Sequence, residues 1–564
     1  MSILKHALLV GVCAASAVAS LTSANAAATT AWGGGSSLIG PYMRQAMDCY
    51  GNPQPLIIQS PLQLEQIAPF NYTGKKPQDC STKHINTGAT LQYDSAGSGA
   101  GIANLYSHDP RSSAPKGYGD IDPNTSGEQD MPYVSFGQSD AGLGQSDVNV
   151  YVNGNDNNGP NAACSVPEQG VCVVGPGETP NPPTTFANPN KTYGALVQFP
   201  LSVDPVAFAY DPTYKKVGNN DGSVTSYQFN IKFPHADGSG GLRLDAATYC
   251  AIFNGQIKNW NDPALKKLNG NVSLQDPKDS GSFNVPLQIV GRQDSSGTTS
   301  IFTRHLANVC ANVAGNQYSD GATTLPATLI GGTWDGQQVH NEVLGKFTVA
   351  QGNPGVAQYV AFRDTPTAGQ TLIQGHLGYA GADFVLPAVL VNQQNNYGLN
   401  STDLKNSSGK WQGATGAAAL AAFGSITPPQ SDNKGHYDLS NCSGASARCR
   451  AHPYDWAEPV SKTSPLANPT AKNGYPVVGT TNLIAYTCYS DPNVANVMTG
   501  FTGWYSKSFT VQEVPLGLLV ANGLSSLPRQ WRNAIKESFI DGKDGLGLNI
   551  QASGTGHCSG VTGG

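Results

Sequence analysis

The chain has 564 residues and a formal net charge of −6. Its length suggests two to four domains at about 150 residues per domain, and its 39% of hydrophobic residues can form a buried core. Only 12% of the residues are charged, with 32 basic against 38 acidic side chains. This balance excludes the basic stripes that neutralise phosphates in nucleic-acid-binding proteins, so no nucleic-acid partner is expected.

The N-terminus has the pattern of a secretory signal peptide. Lys5 supplies a positive charge, residues 7–18 form an apolar run, and an A-N-A cleavage signal ends at Ala26. We expect residues 1–26 to be removed and the mature protein to begin near Ala27. The sequence therefore predicts a periplasmic or secreted protein.

Export to an oxidising compartment makes disulfide bonds the expected state of the cysteines. Cys13 lies within the predicted signal peptide and would permit a lipid anchor, but Val12 precedes it where lipidation requires a small residue. Two close pairs lie in Gly-, Pro- and Asn-rich stretches, and we expect each to staple a surface loop. These pairs are Cys164 with Cys172 and Cys442 with Cys449. The sequence does not decide the pairing of the other six cysteines, which are Cys49, Cys80, Cys250, Cys310, Cys488 and Cys558.

A repeated order of strand, loop and helix predicts an α/β fold. In chain order, GGGSS leads into a helix with Tyr42, Met43, Ala46 and Met47 on one face. A strand that ends at Tyr93 leads through DSAGSGAG into a second helix. A buried strand at 287–291 leads through RQDSSGT into a third helix with Ile301, Phe302, His305, Leu306 and Val309 on one face. Alternation of this kind predicts a parallel sheet with helices on its faces.

Four stretches between these units are rich in Gly, Pro, Asn, Asp and Ser, and we interpret them as insertions rather than core. They are residues 106–132, 152–192, 212–240 and 425–473.

Three loops of small residues each precede a helix, at residues 35–37, 97–99 and 296–298. The first turn of a helix offers free backbone N–H groups and the positive end of the helix dipole, which together favour an anion. Arg292 can add a bidentate guanidinium contact to a tetrahedral oxyanion. Each loop alone is better explained as a helix N-cap, where serine is common. The three loops together with the arginine point to an oxyanion site.

The same segments resemble the periplasmic phosphate-binding proteins that feed the phosphate ABC transporter. The resemblance keeps the family's order along almost the whole mature chain, and GRQDSSGTTSIFTRHL (291–306) is its most specific part. The earlier segments are AWGGGSSLIGPY (31–42), YDSAGSGAGI (93–102), FGQSDAGL (136–143), QFPLSVDPVAFAYD (198–211) and LDAATYCAIFNGQIKNWNDPAL (244–265), and the later ones are GNPGVAQYV, HLGYAGADF and GYPVVG.

The resemblance implies a set of phosphate ligands, no cofactor and no metal. The implied ligands are Ser37, the backbone N–H of Leu38, Ser98, Asp140, Arg292, Ser296, Gly297 and Thr298. It also implies that Asp294 pairs with Arg292 and holds its guanidinium in place. The sequence departs from the family pattern at Gly99 and Ala100, so the residue after Ser98 has no assigned role.

Asp140 predicts selectivity for phosphate over sulfate. Phosphate keeps at least one proton near neutral pH, whereas sulfate has none. An ionised Asp140 can accept a hydrogen bond from phosphate, but sulfate would place two acceptors against each other at a cost of several kcal/mol. Rejection of the wrong anion is then the source of specificity. The alternative interpretation is that Asp140 only caps a helix.

The resemblance further implies a two-lobed periplasmic-binding-protein fold of type II, with the ligand in a hinged cleft. The first lobe would hold residues 27–203 and 475–564, and the second residues 204–474. The implied function is capture of inorganic phosphate by a monomer and its delivery to an inner-membrane ABC permease.

Two other functions compete with this interpretation. A secreted phosphatase-like relative would hydrolyse phosphate esters, but the histidines show no HxH, HExxH or DxH spacing for a metal centre, and the chain has no G-x-S-x-G motif. Ser407 and Lys410 match S-x-x-K only in a serine-rich loop. We therefore expect no enzymatic activity. An extracellular scaffold or adhesin, in which the insertions carry the function, is the other alternative.

Overall fold

The structure is a computed structural model. It describes residues 28–52, 85–110, 131–154, 167–168, 171–172, 188–217, 223–233, 241–334, 343–361, 375–385, 398–424, 426–429, 448–458, 461–507 and 514–564. The predicted signal peptide lies outside these residues.

The described helices are mostly short. They are α1 (Gly40–Tyr50), α2 (Ser98–Ser107), α3 (Gln145–Asn153), α4 (Pro189–Tyr193), α5 (Ala246–Phe253), α6 (Pro263–Leu268), α7 (Gly297–Val309), α8 (Gly352–Ala361), α9 (Gly416–Phe423), α10 (Pro492–Lys507), α11 (Val514–Ala521) and α12 (Arg529–Ile535). Within the described part of the chain, none of them combines the length and the hydrophobicity needed to cross a bilayer.

Two of the strands, β6 and β17, are longer than the rest. The strands are β1 (Thr29–Gly35), β2 (Ala89–Asp94), β3 (Phe136–Ser139), β4 (Pro167–Glu168), β5 (Val171–Cys172), β6 (Leu196–Tyr210), β7 (Thr213–Val217), β8 (Val224–Gln228), β9 (Arg243–Leu244), β10 (Leu287–Arg292), β11 (Ile330–Thr333), β12 (Phe347–Ala350), β13 (Gly375–Gly381), β14 (Asn400–Ser401), β15 (Asp403–Lys405), β16 (Trp411–Gln412), β17 (Val478–Tyr486), β18 (Cys488–Tyr489), β19 (Ser525–Ser526) and β20 (Gln551–Ala552). The three predicted strand–loop–helix units are confirmed as β1–α1, β2–α2 and β10–α7.

The main sheet has two parallel parts joined by two long antiparallel strands. Its order is β11-β12-β10-β13-β6-β17-β3-β1-β2, and β14 and β19 also pair with β6. Strand β1 pairs parallel with β2 and β3, and β10 pairs parallel with β12 and β13. The predicted parallel pairing is found in both parts of the sheet, and the sequence did not indicate that β6 and β17 between them run antiparallel to their neighbours.

Strands β6 and β17 carry the sheet from one part to the other. Residues 196–205 of β6 pair with β17, and residues 206–210 pair with β13. The register of β6 against β17 shifts between Thr481 and Asn482, which face Ser202 and Pro200. Pro200 lacks the N–H that a ladder hydrogen bond needs, so a bulge at this position is expected on physical grounds.

The core is continuous through both parts of the sheet. The expectation that residues 212–240 and 425–473 lie outside the core is wrong in part. Tyr214 and Phe229, on and beside the β7–β8 hairpin, are buried, and so is Trp456. These aromatic side chains supply apolar surface that the surrounding Gly- and Asn-rich sequence does not suggest.

Two disulfides join distant parts of the chain. Cys250 of α5 bonds to Cys310 at the end of α7, and Cys488 of β18 bonds to Cys558 near the C-terminus. Cys49 and Cys449 are also disulfide-bonded, and their partners lie outside the described residues. Cys164 and Cys442 lie outside them as well, so the two predicted loop staples stay predictions.

Candidate functional site

The site is centred on Asp140, a buried carboxylate directly after β3. Four hydroxyl groups contact it. Ser36 Oγ and Thr481 Oγ1 donate to Asp140 Oδ1, the latter over 2.7 Å. Thr298 Oγ1 donates to Asp140 Oδ2 over 3.1 Å, and Ser98 Oγ lies 3.4 Å from the same oxygen. These donors come from β17, from the loop between β1 and α1, and from the starts of α2 and α7, so the fold assembles the cluster from segments far apart in sequence.

The environment of Asp140 acts on its acidity in two directions. Burial raises the pKa of the Asp140 carboxyl, because a charge is costly away from water. Hydrogen bonds from Ser36 and Thr481 and the charge of Arg292 lower it, and the net shift of the pKa is upward. The carboxylate is thus held in place by hydroxyls that stabilise its charged form.

Arg292 ends β10 and lies almost fully buried. Its Nε donates to Asp294 Oδ1 over 2.8 Å, and its Nη2 donates to Asp294 Oδ2. Burial lowers the pKa of Arg292, but the charge and hydrogen bonds of Asp294 raise it, and the net pKa shift is upward. Asp294 is fixed in turn by the N–H of Gly352, 3.1 Å from Oδ1. The remaining guanidinium nitrogen, Nη1, donates to Thr298 Oγ1 over 3.2 Å.

The first small-residue loop meets the start of α8. Ser37 Oγ accepts hydrogen bonds of 3.0 Å from the backbone N–H and from Nδ2 of Asn353. Asn353 Nδ2 also donates to Thr298 Oγ1 over 3.1 Å. The backbone N–H of Leu38 donates to Ser36 Oγ over 3.1 Å. The loop is therefore tied both to itself and to the opposite part of the sheet.

The second loop begins α2 at Ser98, whose Oγ accepts the backbone N–H of Asp140 over 3.1 Å. Gly97 has φ +105°, in the region that favours glycine. A Cβ at this position would lie 2.5 Å from Asp294 Oδ2. The N–H of Gly99 donates to the carbonyl of Ser295 over 3.0 Å. The second and third loops are thus in direct contact.

The third loop begins α7. Ser296 is the N-cap of this helix, and its Oγ accepts the N–H of Thr299 over 3.2 Å. Gly297 is the first helical residue, and a Cβ there would lie 2.5 Å from Ser98 Oγ and from the backbone N of Ala141. Only glycine permits this approach, so α7 points its N-terminus at Asp140 and α2.

The structure brings all the sequence-predicted residues into one region, with different kinds of contact. Asp140, Ser98, Thr298 and Arg292 form one hydrogen-bonded group. Ser37 joins that group through Asn353. Leu38, Ser296 and Gly297 shape the loops around it, and Asp294 holds Arg292.

Sequence reasoning missed four residues, which are Ser36, Asn353, Thr481 and Asp204. Ser36 adjoins Ser37, and Asn353 lies within the GNPGVAQYV segment, so motif position could have suggested both. Asp204 is the one charged residue of the buried strand β6, so its charge could have marked it. Thr481 lies beside Thr480 in β17, and nothing in the sequence distinguishes these two threonines. Thr481 Oγ1 lies 2.8 Å from Asp204 Oδ2, which connects the site to the middle of the sheet.

The chemistry of this arrangement suits an oxyanion that carries a proton. Arg292 provides the positive charge, hydroxyl and backbone N–H groups provide donors, and Asp140 provides an acceptor. Among the described residues, the one group with metal-ligand proximity is Cys488, His557 and Cys558. Since Cys488 and Cys558 are bonded to each other, their sulfurs are not free thiolates for a metal.

Three comparisons relate the chain to known proteins. A family model described as the PBP superfamily domain matches residues 78–508. Alkaline phosphatase L of Pseudomonas aeruginosa is 27% identical over 360 residues, covering 64% of this chain and 70% of that protein. A phosphate-binding protein from an unknown prokaryotic organism is 24% identical over 332 residues, covering 55% of this chain and 70% of that protein.

A solved structure shows the same fold. The periplasmic phosphate-binding protein PfluDING, bound with phosphate, aligns with a TM-score of 0.53 and 19% identity over 94% of this chain and 99% of that chain. The predicted two-lobed α/β fold of type II is confirmed by this likeness. Since the family model spans well over half of the sequence, the chain belongs to the PBP superfamily.

Proposed function

We propose that this protein is an exported solute-binding protein that captures inorganic phosphate and delivers it to an ABC transporter. The observation that carries the proposal is the buried group around Asp140, in which a carboxylate and a guanidinium share hydrogen bonds with the same hydroxyl, Thr298 Oγ1. The names of PfluDING and of the prokaryotic relative support phosphate as the anion.

The ligands we propose are Ser37, Leu38, Ser98, Asp140, Arg292, Ser296, Gly297 and Thr298, with Asp294 orienting Arg292. Serine and threonine hydroxyls can rotate to donate to a bound oxyanion. Arg292 would supply its Nη1 edge, since Asp294 occupies Nε and Nη2. The helix starts at α2 and α7 add backbone donors. An affinity in the micromolar range, about 8 kcal/mol, is within reach of several charge-assisted hydrogen bonds of roughly 1.5 to 3 kcal/mol each.

The lobes we propose are residues 27–203 with 475–564 and residues 204–474, with β6 and β17 as the two crossings. The proposed boundary at 203–204 lies two residues before the point at which β6 changes its partner from β17 to β13, between residues 205 and 206. A monomer with a cleaved signal peptide and an inner-membrane permease as partner completes the proposal. Mass spectrometry of the exported protein would test cleavage after Ala26, and an intact N-terminus would contradict it.

Calorimetric titration with phosphate, arsenate and sulfate tests the function. We expect phosphate to bind, arsenate to compete because it also keeps a proton, and excess sulfate to leave phosphate bound. Asp140→Asn should weaken phosphate binding about tenfold, near 1.4 kcal/mol, and should allow sulfate to bind, because an amide N–H can donate to an unprotonated oxygen. Asp262→Asn is the control, since Asp262 caps α6 and asparagine caps equally well.

Displacement of phosphate by sulfate from the wild-type protein would contradict the selectivity mechanism. A complete lack of oxyanion binding would contradict the function itself and would favour an extracellular scaffold or adhesin.

Hydrolysis of phosphate esters is a second candidate, because the Pseudomonas aeruginosa relatives carry the name alkaline phosphatase L. The purified protein should be assayed with a chromogenic phosphate ester beside the phosphate titration. Turnover that is lost in Arg292→Ala, under conditions where a mock purification shows none, would establish the enzyme. Phosphate binding without turnover would favour the transport protein.

A further inference from the structure

A second buried carboxyl group shares one hydroxyl with Asp140. Thr481 Oγ1 lies 2.7 Å from Asp140 Oδ1 and 2.8 Å from Asp204 Oδ2. Asp204, in the middle of β6, and Thr481, in β17, have no measurable exposure to solvent. Both contacts have the length of O–H···O hydrogen bonds.

Counting protons shows that one carboxyl group must be neutral for both contacts to be hydrogen bonds. A threonine hydroxyl carries one hydrogen and can donate to only one acceptor at a time. If both carboxyls were ionised, the second contact would set two oxygen lone pairs against each other in a buried site, which is costly. One added proton on either aspartate makes both contacts favourable.

The distribution of donors assigns this proton to Asp204. Asp140 receives contacts from the hydroxyls of Ser36, Thr298 and Ser98 in addition to Thr481. The described residues give Asp204 Oδ1 no partner with hydrogen-bond geometry. Burial raises the pKa of Asp204 to about 7, and the negative charge of Asp140 acts in the same direction. The Ser202 hydroxyl and the hydroxyl and backbone N–H of Thr481 lower this pKa but do not outweigh burial. Asp204 therefore donates to Thr481, and Thr481 donates to Asp140.

Few other titratable groups act on Asp204. Across the sheet it faces Asp140, and from the helices it feels Tyr42 of α1 and Tyr505 of α10. Burial raises the pKa of both tyrosines, so they stay neutral at physiological pH. Two positive groups act on these neighbours of Asp204: Arg292 on Asp140, and Arg532 of α12 on Tyr505. Asp140 is thus the charged group that Asp204 senses most directly.

We infer that Asp204 is a positioning residue that keeps its acid proton and, through Thr481, holds Asp140 in the ionised, accepting form that phosphate recognition requires. The inference rests on the proposed function and adds a pH-dependent element to it. When the pH rises far enough to ionise Asp204, the site gains a negative charge. Thr481 then no longer accepts a hydrogen bond from the Asp204 carboxyl group. Binding of an anion then favours return of the proton to Asp204 from solvent, so phosphate binding and proton uptake become linked.

Calorimetry on the full-length protein, with phosphate as the probe, tests the linkage. Wild type, Asp204→Asn and the control Asp262→Asn should be titrated from about pH 6 to about pH 9, in two buffers that differ in ionisation enthalpy. The amide introduced by Asp204→Asn imitates the neutral acid but cannot titrate. We expect wild-type affinity to fall relative to Asp204→Asn above about pH 7, by up to about tenfold per pH unit. Near pH 8 the wild type should take up more protons per phosphate than Asp204→Asn.

Parallel pH profiles and equal proton uptake in wild type and Asp204→Asn would overturn the inference, because a merely structural role changes affinity equally at every pH. Thr481 provides a second check. Thr481→Ser, which keeps the hydroxyl, should retain the wild-type profile, and Thr481→Val, which removes it, should weaken binding several-fold. Equal behaviour of these two variants would also overturn the inference.

Melting without ligand separates this inference from the function itself. A folded-state pKa raised above that of the unfolded chain means that the folded state binds more protons, so stability falls as the pH rises between the two values. Wild type should lose melting temperature relative to Asp204→Asn between about pH 4 and about pH 7, and the difference should then stay constant. If the difference in melting temperature between wild type and Asp204→Asn stayed constant from about pH 4 upward, Asp204 would not hold a proton in the folded state. This result would count against the inference whether or not phosphate binds.

Discussion

The two sides of the site differ in charge and in how they are built. On the side of β1, β2 and β3, hydroxyls surround a carboxylate, and the bonds to Asp140 from Ser36 and Ser98 involve no cation. On the side of β10 and α8, Arg292 is held by Asp294, and Asn353 links two hydroxyls. In the proposed function, the first side would distinguish anions by whether they carry a proton, and the second side would supply the attraction. Neither side alone would then provide both affinity and selectivity.

Removal of the positive charge on the side of β10 and α8 should have the largest effect on phosphate affinity. Arg292→Ala deletes the guanidinium and leaves Asp294 buried beside the anion without its partner, a change that costs roughly 3 kcal/mol or more. Phosphate affinity should fall at least about a hundredfold in a calorimetric titration. Arg292→Lys keeps the charge but loses the planar guanidinium, so its phosphate affinity should lie between those of the wild type and Arg292→Ala.

Arg243→Ala is the matched control for this prediction, because the Arg243 guanidinium lies over the ring of Phe233. Equal losses of phosphate affinity in Arg292→Ala and Arg243→Ala would show that the attraction does not come from the side of β10.

Disturbing the close contact between Gly97, before α2, and Asp294, after β10, should have an intermediate effect on phosphate binding. Gly97→Ala places a Cβ 2.5 Å from Asp294 Oδ2 at a residue with φ +105°, so it should lower the free energy of unfolding by roughly 1 to 3 kcal/mol and weaken phosphate binding several-fold. Chemical denaturation and titration measure the two effects.

Gly398→Ala controls for backbone strain alone, since Gly398 also has positive φ but a Cβ there meets nothing within 4 Å. If Gly97→Ala binds phosphate as Gly398→Ala does, the close approach of α2 to Asp294 has no role in binding.

Removal of a single hydroxyl on the side of β1, β2 and β3 should have the smallest effect on phosphate affinity. Ser37→Ala removes the acceptor of two bonds from Asn353 but leaves the bond from Asn353 to Thr298 in place. We expect phosphate affinity to fall about fivefold, near 1 kcal/mol. Ser107→Ala, a buried serine whose hydroxyl bonds to the Ala103 carbonyl of its own helix, should change affinity little. A larger loss of phosphate affinity in Ser107→Ala than in Ser37→Ala would show that Ser37 has no specific role in binding.

The sequence alone determined the local units of this protein. Three strand–loop–helix segments, the small-residue loops and the RQDSSGT turn follow from hydrophobic period and from glycine and serine at helix starts, which are properties of neighbouring residues. The bidentate pair of Arg292 and Asp294 also lies within three residues. The resemblance to a known family added Ser37, Ser98 and Asp140 as members of one site.

Tertiary structure decided the antiparallel crossing strands, the burial of Tyr214 and Phe229, and the positions of Asn353, Thr481 and Asp204 beside the site. Thr481 lies 277 residues from Asp204 and 341 from Asp140 in the chain, and no local pattern marks a hydroxyl that will meet two carboxyl groups. Hydrophobic periodicity and helix-capping patterns depend only on residues a few positions apart in the chain. The protonation of a buried acid depends on every group that packing brings around it.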